Sequence, residues 1–186
     1  MSTAVQTQVA DRSTVAVRVG WISLFAILTG LGAWIKIPLP FTPVPITLQT
    51  AAVLASGVVL GRDGLYAQLL YLLLGGIGLP MFAGAHSNLL YLFGATGGYL
   101  IGFVASAALT GSWIHPRWRQ LTFWGRSWRL IFVSLVLFIP GVLQLKLFTG
   151  MDCSKALLTG FVFFIPGDIL KVFAVSVLPN RAIRTL

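Results

Sequence analysis

The sequence predicts an all-α polytopic membrane protein, a bundle of six spanning helices in one domain with both termini in the cytoplasm. Three observations predict it. The 186 residues are 57% hydrophobic and 9% charged, against about 25% charged in soluble domains. The apolar stretches approach the roughly 20 residues that a spanning helix needs, and Gly, Pro and Arg separate them. All nine arginines fall in alternate connections or at the termini, as the bias of cytoplasmic loops towards Lys and Arg requires.

The elements follow in order. Residues 1–18 are a polar cytoplasmic tail, and 19–186 form the transmembrane domain. The tail has no apolar core with a small-residue cleavage site, so no cleaved signal peptide is expected. Span one is 19–35 and span two 45–60, ended by Gly61-Arg62-Asp63-Gly64, a polar turn. Span three, 65–79, closes at Gly78-Leu79-Pro80. Spans two and three are short for a straight crossing, so one of them tilts or re-enters. Span four runs 96–114 and stops at His115-Pro116; span five is 130–148; span six is 156–178, stopped by Pro179-Asn180.

The connections differ in kind. Between spans one and two, Ile37-Pro38-Leu39-Pro40-Phe41-Thr42-Pro43-Val44-Pro45 holds four prolines. It runs extended, either as a lid over a cavity or as a rigid spacer. The outer loop over 80–95 contains Gly84, His86, Asn88 and Tyr91 and is long for a helix bundle. The inner connection, 115–129, interleaves Trp with Arg, which suits an interfacial anchor or a docking surface.

The net charge of +9 comes from 13 Lys and Arg against four Asp, with no Glu. Those cations are spread among apolar stretches and form no single basic face, so nucleic acid is excluded as a partner. The partner of the long apolar surfaces is membrane lipid. A single cysteine, Cys153, excludes an intramolecular disulfide. No phosphate-binding glycine loop, catalytic triad or metal cluster is present, and His86 has no companion ligands. No cofactor and no enzymatic chemistry are expected.

Asp168 and Lys171, inside span six, are the sharpest signal. Ionisable groups at this depth are costly and face a cavity or each other. At i and i+3 they share a helical face, and Pro166-Gly167 loosens the backbone beside them. They either pair to fix helix packing or bind a ligand, Asp168 accepting from N–H groups and Lys171 donating to oxygen. Thr96-Gly97-Gly98-Tyr99 opens span four, either as a helix N-terminus for an anionic group or as a close-packing site. Ala26 and Gly30 in span one form a small-xxx-small pair that favours close helix contact, within the chain or with a partner.

The run 37–50, with Leu69-Leu70-Tyr71-Leu72-Leu73-Leu74-Gly75, Gly78-Leu79-Pro80-Met81-Phe82-Ala83-Gly84, Thr96-Gly97-Gly98-Tyr99-Leu100-Ile101-Gly102-Phe103 and Pro166-Gly167-Asp168 followed by Lys171, closely resembles the BioY family. These are the biotin-specific S components of energy-coupling-factor (ECF) transporters. The resemblance covers about residues 24–175. It implies the six-helix S-component fold, high-affinity capture of biotin near the outer face, and the cell membrane as location. It implies a transmembrane coupling protein and two cytoplasmic ATPases as partners. It implies substrate contacts by Asp168, Lys171, Thr96, Gly97, Gly98, Tyr99, Asn88 and Phe41, and partner contacts by Ala26 and Gly30. Where many members have Gly-Pro-Thr-Gly-Gly-Tyr, this chain has Ala95 for the proline, and the loop after Gly84 reads Ala85-His86-Ser87-Asn88, with less glycine than usual. An S component for another vitamin or a biotin precursor, and a structural membrane protein without transport, are the alternatives.

Overall fold

A computed structural model describes the backbone of residues 2–184 and the side chains of 14–184. Most of the tail expected over 1–18, Arg12 included, lies outside the residues whose side chains are described. Helix α1 is Ser2–Trp34, with its apolar span at Thr14–Trp34; no Gly or Pro interrupts residues 2–19. Strands β1 (Lys36–Ile37) and β2 (Ile46–Thr47) pair antiparallel, Lys36 opposite Thr47, so the proline run between them is a clasped loop. The amide of Leu48 donates to the carbonyls of Gly32 and Ile35, both at 3.1 Å, which fastens the next helix to the end of α1. Helices α2 (Gln49–Leu60) and α3 (Asp63–Gly76) form a tight hairpin.

Among the described residues, four helical stretches are long and apolar enough to cross a membrane: Thr14–Trp34, Gly97–Gln120, Phe123–Thr149 and Cys153–Ser176. The hairpin of α2 and α3 completes six helical passes.

Helix α4 (Gly97–Leu109) continues through a π turn, Thr110–Ile114, and a 3-10 turn, His115–Gln120. Helix α5 (Phe123–Thr149) begins seven residues earlier than the sequence suggests, because the Thr122 hydroxyl caps it by accepting from the Gly125 amide at 3.2 Å. The Trp- and Arg-rich connection is therefore not only a surface anchor. Trp118 is fully buried, Arg126 stacks on its ring at 4.4 Å, and that guanidinium also donates to the Asn180 side chain at 2.9 Å. Trp124 and Trp128 stay exposed and suit the interface.

Span six is broken rather than continuous. Helix α6 (Cys153–Gly160), a 3-10 turn (Val162–Phe164) and α7 (Ile165–Ser176) replace one long helix. Pro166 has no N–H for the carbonyl one turn back, so the ladder lapses before it.

The core has three parts, the smallest being Phe25, Val59, Leu60 and Ala67, between α1 and the α2–α3 hairpin. Around the long loops lie Tyr71, Phe82, Tyr99, Phe103, Leu137 and Phe164. At the opposite end lie Leu54, Ile114, Trp118, Leu130 and Val172. Outward faces remain apolar, with Leu24, Leu28 and Leu31 on α1 and Ile139, Leu143 and Leu147 on α5, as lipid requires. The described arginines gather at the end away from the loops. There Arg18 grips Asp63 through both nitrogens, Nε to Oδ2 at 2.6 Å, and Arg184 stacks on Trp21 at 4.4 Å. Arg18–Asp63 is the one ion pair among the described residues.

Asp63 is 4% exposed. Arg18→Gln strands its carboxylate in a buried setting and is expected to lower the unfolding midpoint. The double variant Arg18→Gln/Asp63→Asn removes the stranded charge and should recover most of that loss in thermal unfolding of the detergent-solubilised chain.

Candidate functional site

The long loops, the clasped proline segment and the upper halves of α2, α4, α5 and α7 meet around a cavity. Its polar lining is Thr47, Gln49, Thr50, Tyr91, Thr96, Tyr99, Asp168 and Lys171; Leu100, Phe103, Leu137, Phe138 and Phe164 supply apolar walls. Asp168 is 5% exposed, and its Oδ1 has no hydrogen-bond partner. Ser134, Lys171 and Thr50 are the polar groups around its carboxylate. Asp168 and Lys171 share a face as expected, but they do not form an ion pair. The Lys171 ammonium instead donates to the Thr50 hydroxyl at 2.7 Å, across to α2. One carboxylate oxygen is therefore left without a partner in the wall of the cavity, and one cation sits beside it.

A second polar group descends from the clasp. The Thr47 hydroxyl donates to Gln49 Oε1 at 3.2 Å, and Gln49 Nε2 donates to the Tyr71 hydroxyl at 2.6 Å. Tyr91 is sandwiched between Phe82 at 5.1 Å and His86 at 5.4 Å, and its hydroxyl donates to the Ala83 carbonyl at 3.2 Å. Burial raises the Tyr91 phenol above its ordinary range, so it stays a neutral donor. The loop is held by a turn in which Gly84 (φ 84°) and Ala85 (φ 61°) both have positive φ. Ala85 and Asn88 (φ 88°) both occupy positive-φ positions that glycine would take without strain, so the poorer glycine content of this loop is carried as local strain at two residues.

The residues singled out in the sequence divide into three groups. Asp168, Lys171, Thr96 and Tyr99 come together on the cavity. Tyr99 also donates to the Gly160 carbonyl at 2.8 Å, tying α4 to the break in span six. Gly97 and Gly98 are packing positions and do not line the cavity: a Cβ would lie 1.7 Å from the Leu92 carbonyl oxygen at Gly97 and 2.1 Å from that of Pro140 at Gly98. Asn88 is occupied elsewhere, its Oδ1 accepting from the Tyr91 amide at 3.2 Å, and Phe41 packs its ring on Phe163 at 4.5 Å.

The expected partner contact also needs correction. Ala26 is fully buried, and a Cβ on Gly30 would come 2.7 Å from the Met81 side chain. The small residues let α1 approach its own chain, and Leu24, Ile27, Leu28 and Leu31 form the outward face. Gln49, Thr50, Phe103, Leu137 and Phe164 were not predicted as lining. Gln49 alone carried a signal, as a polar residue inside an apolar span. No group of three His, Cys, Asp or Glu side chains suited to a metal occurs among the described residues. The cavity suits a ligand that offers N–H donors and a carbonyl at its deep end and an apolar body behind them.

The comparisons with known proteins agree with one another. A sequence model of the BioY family matches residues 3–186. A Lactococcus lactis protein named biotin transporter BioY2 is 38% identical over 166 residues, covering 86% of this chain and 90% of its own. The biotin transporter BioY of Rhizobium etli is 37% identical over 169 residues, covering 85% and 87%. That of Thermotoga maritima is 35% identical over 159 residues, covering 85% and 90%. A crystal structure of the S component for biotin from an ECF-type ABC transporter superposes with a TM-score of 0.78 at 22% identity, covering 89% of each chain. The fold is that of an ECF S component.

Proposed function

This chain belongs to the BioY family, and from that premise we propose that it is the biotin-binding S component of an ECF-type importer. It is a non-catalytic transport subunit, as its relatives are named transporters. One observation carries the ligand reading: the buried, unpartnered Oδ1 of Asp168 beside Lys171, in a cavity walled by aromatic rings. Biotin has a ureido ring with two N–H donors and a carbonyl, an apolar thioether ring and a carboxylate tail. Asp168 accepts from the ureido N–H groups, and Lys171 donates to the ureido oxygen. Leu100, Phe103 and Phe164 enclose the thioether ring, while Thr96 and Tyr99 close the wall nearest α4.

The arginine-rich end faces the cytoplasm, with both termini, since cationic loops stay on that side of the cell membrane. The cavity then opens outward, where biotin is captured. A transmembrane coupling protein and two cytoplasmic ATPases supply the energised step. The outward apolar face of α1, rather than Ala26 and Gly30, is the part of span one available to the coupling protein.

The test is equilibrium binding of labelled biotin to the detergent-purified chain, with dethiobiotin, lipoate, thiamine and riboflavin as competitors. Saturable binding displaced by unlabelled biotin alone is expected. Displacement by another of these vitamins reassigns the ligand, and a folded chain that binds none of them overturns the capture role. At a biotin concentration a hundredfold above Kd, the folded state gains about 2.7 kcal/mol, seen as a higher midpoint of thermal unfolding.

A further inference from the structure

The cavity continues past Pro45, Ala83, Tyr91 and Thr96 into a second hollow under the clasped proline segment, lined also by Lys36, Leu39, Thr42, Pro43 and His86. Two basic side chains converge there. A Cβ on Gly84 would lie 2.8 Å from Lys36 Nζ and 3.4 Å from His86 Nε2, so both reach over the same point of backbone. Each is held by its surroundings. Lys36 opens β1 opposite Thr47, two residues before Gln49 of the inner cavity. His86 stacks on Tyr91 at 5.4 Å, and its carbonyl accepts from the Phe82 amide at 3.0 Å.

Among the described residues this cationic point meets no counter-charge. The chain has four carboxylates. Asp63 is taken by Arg18, Asp168 belongs to the inner cavity, Asp152 stands before α6 at another connection, near Lys146, and Asp11 lies outside the described side chains. Among the described residues the Lys36 ammonium has neither an ion pair nor a hydrogen bond. A ligand whose polar ring reaches Asp168 and whose chain passes Tyr91 and Thr96 emerges in this second hollow. An anionic end group is the one that the hollow complements.

We propose that Lys36 is the carboxylate-binding residue of the site, receiving the anionic tail of the ligand in the hollow beneath the proline loop. The proposal rests on the biotin reading above and deepens it: ligands are selected at two points, by hydrogen bonding at Asp168 and by charge at Lys36. The walls of Pro38, Leu39 and Pro43 thin the water around the pair, and low ionic strength leaves it least screened.

The test pairs two ligands with two proteins. Biotin and biotinamide, which lacks the negative charge, are titrated into the full-length wild-type chain and into Lys36→Gln, in detergent at low salt. The wild type is expected to bind biotin about fivefold more tightly than the amide, the upper range for a part-exposed ion pair. Lys36→Gln should lose that preference while binding the amide as the wild type does, which also shows that the variant is folded. Lys36→Arg should keep the preference. A wild type that binds the two ligands equally, or a Lys36→Gln variant that still prefers biotin, overturns the subsite but leaves the biotin reading intact. A folded wild type that binds neither ligand removes both.

Discussion

Asp168→Asn is expected to weaken biotin binding by about a hundredfold while the unliganded protein keeps its thermal stability. The buried carboxylate has one oxygen without a hydrogen-bond partner, and Asp168 lines the cavity. An amide of the same shape presents one acceptor and one N–H donor, and that donor meets the ureido N–H head on. Truncating one partner of a buried charged hydrogen bond costs roughly 2–5 kcal/mol, and a hundredfold is about 2.7 kcal/mol. Stability is spared because Asp168 holds no ion pair with Lys171, whose ammonium is anchored on Thr50. Isothermal titration with biotin and thermal unfolding without it separate the two readings of this residue. A lower unfolding midpoint with unchanged affinity would make the Asp168–Lys171 face a packing device.

Gly98→Val is expected to abolish folded protein. The Cβ alone would stand 2.1 Å from the Pro140 carbonyl oxygen and 2.6 Å from its carbon. Both are backbone atoms of α5, so no side-chain rotation relieves the clash. The two helices must separate, opening the core around Leu137 and Phe138 and moving Tyr99 off Gly160. Overpacking that the surroundings cannot absorb exceeds about 4 kcal/mol, a large share of the roughly 5–15 kcal/mol that holds a protein folded. Gly20→Val is the control, because a Cβ there meets nothing within 4 Å. Size-exclusion profiles in detergent should show an aggregated or missing Gly98→Val and an unchanged Gly20→Val. A monodisperse Gly98→Val that still binds biotin would refute the packing role of this glycine.

Asp168 and Lys171 were legible in the sequence because charge inside an apolar run has few inexpensive explanations. Their separation was not: i and i+3 spacing places both on one face but does not say that Thr50, more than a hundred positions away in the chain, captures the ammonium. Gly97 and Gly98 announced a close approach, and only the position of Pro140 and Leu92 showed which backbone comes close. Ala26 and Gly30 carried the same ambiguity, resolved when Met81 and the bundle interior covered them. The break in span six was written in Pro166, but its lock was not, because the Tyr99 hydroxyl reaches Gly160 from another helix.

Composition, span length and the placement of arginine by themselves determined that this chain lives in a bilayer as a six-pass helical bundle with one strongly cationic end. Those properties depend on transfer from water to lipid and on charge, which each residue carries wherever it sits. Which residues line the cavity was decided by the tertiary structure alone. In lipid the outward and inward faces of a helix are both apolar, so Phe103 at the site and Ile139 towards the membrane read alike. Only the packing of one helix against the next separates them.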